Sequence, residues 1–215
     1  MPVGNNAFFD AGFGLVQLNG SNIGNGVRRY SFDSPLPCSW APYAMCPLWV
    51  TQLDGTDSVS PVLSDDQATV YVGTDAGTVY ALDAVTGNIQ WSAPVGSQVI
   101  DSPALANGRL YVPTESSGLV VLDATGCGSA TCSPLWAGPS SGAVTQQPAV
   151  AGGVVFVGNS DGDILAFDAA GCAAATCDPS WSDSTGSPIT GAPAINNGQL
   201  YIGTADGRLI AYGIP

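Results

Sequence analysis

The sequence predicts an all-β fold, a β-propeller of four-stranded antiparallel blades. Three observations carry that prediction. A block of 42 to 45 residues recurs along the chain. Each block is made of short β-branched and aromatic runs separated by glycine turns. No window carries the 3.6-residue apolar stripe of a helix. Repeats of this length built from four strands are propeller blades.

The repeat has two independent landmarks. Pro61, Pro103, Pro148 and Pro193 are spaced by 42, 45 and 45 residues, and Trp49, Trp91, Trp136 and Trp181 keep the same rhythm. A more diverged copy opens the chain, running from "NAFFDAGFGLVQL" to "CPLW", and "MPVGNNAFFDAG" echoes "APVGSQVIDSPALANG". The chain therefore divides into about five units of a single propeller domain, near 1–59, 60–101, 102–146, 147–191 and 192–215. Four are complete and the last is incomplete. Either five units close a small ring, or the chain is the C-terminal part of a larger propeller, or two chains join as a homodimer because one ring does not seal itself.

Within a unit the elements follow in order. The first strand is a brief run after the Ser/Gln/Ala-Pro step. The second is "TVYVG", "RLYVP", "VVFVG" or "QLYIG", followed by a tight turn such as "TDAG" or "ADGR". The third is "TVYALD", "LVVLD", "ILAFD" or "LIAYG". The fourth carries the tryptophan.

Between third and fourth strands lies the phrase Ala81-x-Asp83-x-x-Thr86-Gly87-x-x-x-Trp91. Asp83 can accept hydrogen bonds from backbone N–H groups of the turn, Thr86 adds a hydroxyl, and Gly87 permits positive φ. The turn then delivers Trp91, whose ring has a large apolar area to bury between neighbouring blades. Asp123, Gly126 and Trp136 repeat the phrase in part, as do Asp168, Gly171 and Trp181, and Asp33 with Trp49. This is a blade-to-blade docking device rather than a reactive site. It resembles the tryptophan-docking motif of the quinoprotein, or pyrroloquinoline quinone (PQQ)-like, β-propeller repeat, over nearly the whole chain. That superfamily includes quinone-dependent dehydrogenases, protein-binding scaffolds of the outer-membrane assembly type and sensor domains. The resemblance therefore implies fold more than function.

The six cysteines form three close pairs, Cys38 with Cys46, Cys127 with Cys132 and Cys172 with Cys177, each between the third-strand Asp and the fourth-strand Trp of its unit. Six cysteines allow 15 pairings, and the repeat favours the local one. The rival is a metal site. Its four ligands would have to converge, whereas these pairs sit on successive blades with no histidine in the chain. Disulfides imply a secreted, periplasmic or cell-surface protein. The N-terminus has no basic region followed by an apolar one, as a mature chain or a piece of a longer one would show. No 18-residue apolar run offers a membrane span.

Composition narrows the function classes. Four arginines, no lysine, 17 acidic residues and a net charge of −13 argue against nucleic acid or an anionic membrane surface as partner. The absence of histidine removes the usual general base and the commonest transition-metal ligand. The quinone dehydrogenases of the resembled family have larger eight-bladed discs, a central acidic base, a calcium ion and adjacent cysteines near the cofactor. This chain has no adjacent cysteines and a single glutamate, Glu115, in a strand turn. No catalytic residue, cofactor-binding residue or metal ligand is assigned, and no cofactor is expected, with PQQ and Ca²⁺ as the groups the resemblance leaves open. "NSDGD", Asn159 to Asp163, alternates oxygen ligands as calcium loops do but lacks the closing glutamate. Arg28 and Arg29, adjacent on a strand, point to opposite faces and make no basic patch.

A surface for binding remains. Trp40 and Tyr43, in the long Cys38–Cys46 loop, are candidate partner contacts. The expected role is a non-catalytic, extracytoplasmic protein-binding or assembly scaffold. The alternatives are a fragment or relative of a PQQ-dependent dehydrogenase and a carbohydrate- or small-ligand-binding propeller. The identity of a protein or glycan partner is not encoded in any residue singled out.

Overall fold

In the computed structural model, residues 48–56 and 58–213 are described in full, together with the backbone of residues 6–10, 17–18, 21–22, 26–31 and 47. All regular structure among them is β. The first sheet holds β1 (Asn6–Asp10), β4 (Gly26–Ser31) and β5 (Pro47–Gln52) in the order β1-β4-β5, with β2 (Gln17–Leu18) and β3 (Ser21–Asn22) forming a separate hairpin. The second sheet runs β6 (Val62–Leu63), β7 (Thr69–Gly73), β8 (Thr78–Asp83) and β9 (Ile89–Pro94). The third runs β10 (Ala104–Ala106), β11 (Arg109–Pro113), β12 (Leu119–Asp123) and β13 (Trp136–Gly138). The fourth runs β14 (Ala149–Ala151), β15 (Val154–Gly158), β16 (Asp163–Asp168) and β17 (Trp181–Ser184). The fifth has β18 (Ala194–Asn196), β19 (Gln199–Gly203) and β20 (Leu209–Gly213). Every pairing within the second to fifth sheets is antiparallel and joins consecutive strands, as a propeller blade requires.

In the third, fourth and fifth sheets the first-to-second strand connection is a two-residue turn with both residues at positive φ: Asn107–Gly108 (51° and 72°), Gly152–Gly153 (59° and 81°) and Asn197–Gly198 (50° and 72°). Such turns match the twist of a hairpin and select Asn and Gly. Second and third strands join through Thr74, Thr114, Asn159 or Thr204. In three of these turns the Oγ of Thr74, Thr114 or Thr204 lies within bonding distance of the carbonyl four residues on.

The core lies between blades, not within them. In β7, Val70 and Val72 face the first blade with Leu53, Leu82 and Ala84, while Tyr71 turns to the third blade with Trp91, Leu110 and Leu122. Successive side chains of a strand point to opposite faces, so a blade sandwiched between two others buries both. This is why the second strands are apolar almost throughout. Leu119, Val121, Trp136, Val155 and Phe167 fill the next interface, and Phe156, Ile164, Leu200 and Ile202 the one after.

Candidate functional site

The docking phrase forms a compact turn. Asp83 Oδ1 accepts from the N–H groups of Val85 (3.0 Å) and Thr86 (2.7 Å) and from Thr86 Oγ (2.9 Å), and the Gly87 N–H donates to Asp83 O at 2.8 Å. Asp123 holds Thr125 by its N–H (2.8 Å) and Oγ (2.6 Å), and Asp168 holds the Ala170 N–H at 2.7 Å. Ala81 sits across the strand pair from Trp91, as Val121 does from Trp136 and Ala166 from Trp181.

The tryptophan of one unit meets the glycine of the next. A Cβ on Gly87 would lie 2.6 Å from the Trp49 ring, one on Gly126 2.6 Å from Trp91 Cδ1, and one on Gly171 2.7 Å from Trp136 Cδ1. Trp49 Nε1 also donates to Ala84 O at 3.2 Å. Two phenols add cross-blade bonds, Tyr71 Oη to Ala124 O (2.8 Å) and Tyr111 Oη to Ala169 O (2.9 Å). Burial pushes both phenols above their ordinary pKa. Ala169 O also takes a bond from Arg109 Nη1 at 3.2 Å, and Trp136 Nε1 is buried with no acceptor among the described residues.

Two disulfides, Cys127–Cys132 and Cys172–Cys177, close their own loops. These loops do something that sequence reasoning missed: each clasps the outer strand of the preceding blade. The Ser92 N–H donates to Ala130 O (2.9 Å) and the Cys132 N–H returns a bond to Ser92 O (2.8 Å). Ala137 exchanges the same pair with Ala175 and Cys177, both at 2.9 Å. A repeat comparison shows where the loops sit, but not that they bond in parallel register to the previous unit. Asp33, Cys38, Trp40, Tyr43 and Cys46 lie outside the described residues.

The polar residues that drew attention take part in local structure. Asn159 Oδ1 accepts from the Asp161 (3.0 Å) and Asp163 (2.8 Å) N–H groups, so the "NSDGD" oxygen cages its own turn. The Glu115 N–H donates to Gln98 O, bracing an interblade crossing. Among the described residues no group of three or more acidic, cysteine or histidine side chains converges as metal ligands would.

Two clefts are lined by docking tryptophans. One, of about 400 Å³, lies beside Trp136, Arg109 and the alanines of the Cys172–Cys177 loop. The other, of about 430 Å³, lies between the fourth and fifth sheets and is lined by Val154, Phe156, Trp181, Leu200 and Tyr212. Trp181 and Tyr212 meet edge to face at 5.6 Å, and Tyr212 Oη donates to Asp183 Oδ2 at 2.9 Å. Burial, and then the Asp183 carboxylate, push the Tyr212 phenol up. Apolar side chains also stand exposed on outer strands: Leu48 and Val50 on β5, and Ile89 on β9.

A family model of PQQ-like repeats, described as outer membrane protein assembly factor BamB, matches residues 47–170. The chain belongs to this PQQ-like β-propeller family. The match takes in the docking turns at Asp83 and Asp123 and the Cys127–Cys132 clasp, and stops just before the Cys172–Cys177 loop. No curated protein matches the sequence. Among solved structures, BamB from Moraxella catarrhalis superposes with a TM-score of 0.63 at 22% identity, over 78% of this chain and 50% of that one. The computationally designed Ika8 protein gives 0.67 at 16% identity, over 89% of this chain and 54% of that one. The designed Ika4 protein gives 0.58 at 18% identity, over 72% of this chain and 89% of that one. At these identities the likeness is one of fold. The chain spans about half the length of BamB and of Ika8. No helix among the described residues is long and apolar enough to cross a membrane.

Proposed function

We propose that this PQQ-like propeller is a non-catalytic, extracytoplasmic scaffold that binds another protein through its outer rim. The observation that carries the reading is that apolar side chains stand exposed on outer strands, Leu48 and Val50 on β5 and Ile89 on β9. An outer strand with solvated apolar residues offers side-chain anchors to a partner segment. The aspartates that could act as bases are bonded into docking turns, which supports architecture over chemistry at those positions. The match to an assembly-factor family supports a protein partner, and the two loop disulfides support an oxidising compartment.

The test is site-specific photocrosslinking in cells from positions 48, 50 and 89. A discrete adduct that disappears in the Leu48→Asp/Ile89→Asp variant is the expected result. Adducts that form equally from the buried-face position 110, or none from the rim, overturn rim binding. Dye reduction by the purified protein supplied with PQQ and Ca²⁺ would overturn the non-catalytic reading. Trapping thiols in intact cells tests the compartment: cysteines found reduced there refute an extracytoplasmic location.

A further inference from the structure

The docking tryptophans do not all place their indole N–H alike. Trp49 Nε1 donates to the carbonyl of Ala84, the residue after the docking aspartate of the next unit. The matching carbonyl for Trp136 is that of Ala169, which follows Asp168. It is already engaged, by Tyr111 Oη at 2.9 Å and by Arg109 Nη1 at 3.2 Å. Trp136 is 3% exposed, and its Nε1 has no acceptor among the described residues. A buried donor without an acceptor is costly, so its persistence needs a physical cause.

That donor borders a cleft. A Cβ on Gly171 would sit 2.8 Å from Trp136 Nε1. Ala170 and Ala173, on either side of that glycine, line the 400 Å³ cleft together with Trp136, Arg109 and Leu135. Arg109 is the charge there, and it departs from the repeat: Thr69, Val154 and Gln199 open the equivalent strands β7, β15 and β19. Arg208 is paired with Asp206 at 2.7 Å, whereas Arg109 forms no ion pair among the described residues. Asp123, opposite it across the strand pair, instead holds Thr125. The bond to Ala169 O occupies one of the guanidinium's five N–H groups. No carboxylate lines the cleft.

We infer that this cleft is a binding site for a carboxylate carried on a short apolar body, held by the Arg109 guanidinium with the Trp136 indole as second donor. Donors without an acceptor side chain select a group that only accepts, and the planar guanidinium fork matches the two oxygens of a carboxylate. Leu135, which is 44% exposed, and the alanine methyls of the Cys172–Cys177 loop offer the rest of the ligand apolar contact only. The net charge of −13 does not forbid an anion here. Charges beyond about 8 Å are largely screened at physiological salt, so the guanidinium at contact decides. The inference is independent of the rim-binding role, since it uses none of Leu48, Val50 and Ile89.

Titration of the non-reduced 215-residue protein with N-acetyl-leucine tests it, followed on the indole N–H resonances and assigned through Trp136→Phe. The expected result is a saturable shift of the Trp136 resonance with a Kd of about 1 mM, as suits a ligand of this size. The neutral N-acetyl-leucinamide should leave it unmoved. Arg109→Gln should weaken binding by about 10-fold or more while the melt stays cooperative, and Arg109→Lys should recover part of the loss. Should Arg109→Gln misfold, Ala174→Asp on the exposed loop sets a like charge at the cleft and should weaken binding as well. Isobutyrate separates the sources: equal affinity assigns the site to free short-chain acids, and a 10-fold preference for N-acetyl-leucine assigns it to a peptide C-terminus, both bearing the inference out. No shift at Trp136, amide binding equal to acid binding, or affinity unchanged in both the Arg109→Gln and Ala174→Asp variants would each overturn it.

Discussion

At Gly126 and Gly171 two demands meet in one residue. Both have φ near +80° (82° and 83°), and both leave room for a tryptophan ring where a Cβ would intrude. Gly126→Ala should therefore destabilise the fold by about 2–4 kcal/mol, combining left-handed strain with overpacking. Gly108→Ala is the control: its φ is 72° but nothing lies within 4 Å of the added carbon. It should cost about 1 kcal/mol, from strain alone. Denaturant midpoints of the two variants separate the contributions. The phenols make a second residue-level prediction. Tyr71 and Tyr111 have raised pKa values in the folded chain because burial disfavours the phenolate. Below the ordinary tyrosine pKa of about 10 both states hold the proton and stability is unaffected; above it the unfolded chain ionises first and stability falls. Thermal melts should show a decline beginning near pH 10, and the Tyr71→Phe/Tyr111→Phe variant should flatten it. At neutral pH that variant should lose about 1 kcal/mol for each missing cross-blade bond. The sequence reveals the Asp, Gly and Trp of each phrase. It does not reveal that the glycine belongs to one blade and its tryptophan to the one before.

At the scale of elements, the disulfide loops are the clearest case of local sequence with a non-local effect. Each ring closes only five residues of separation, so its entropic contribution is small. The Cys127→Ser/Cys132→Ser variant should lose about 2 kcal/mol. The more specific outcome is positional. Amide exchange should rise at Ser92 and Cys132, which share the clasp on β9, while β14–β17 change little. Uniform loosening across all blades would argue that the loop acts only through global stability. The strands themselves were legible because β-branched and aromatic runs alternate with glycine turns. The connections were legible because Asn-Gly and Gly-Gly admit the positive φ that a two-residue hairpin needs.

For the whole molecule, stability is carried by the interfaces between successive blades, since the apolar clusters join neighbours rather than filling single sheets. A chain organised this way behaves as a row of nearest-neighbour units, and a change at one interface should propagate little beyond it. Trp136→Ala, at the third-to-fourth interface, should cost about 3–5 kcal/mol. It should raise exchange in β11–β16 before β6–β9, as read by hydrogen exchange under native conditions. Equal loss of protection in every blade would show a single cooperative core instead.

What the sequence by itself determined is the periodic architecture: the unit length, the strand order, the turns, the local disulfide pairs at Cys127–Cys132 and Cys172–Cys177, and the docking phrase. These follow from residue type and spacing, which act over a few neighbours and repeat. Only the tertiary structure decided which faces are used up. Trp91, Trp136 and Trp181 are identical in the sequence pattern, yet two are buried and the third stands beside an open cleft. The difference lies in what the next blade brings: a turn, a clasping loop and an outer strand cover the first two, and β20 brings none of them among the described residues. Burial is a property of the neighbour rather than of the residue, and no local pattern encodes it.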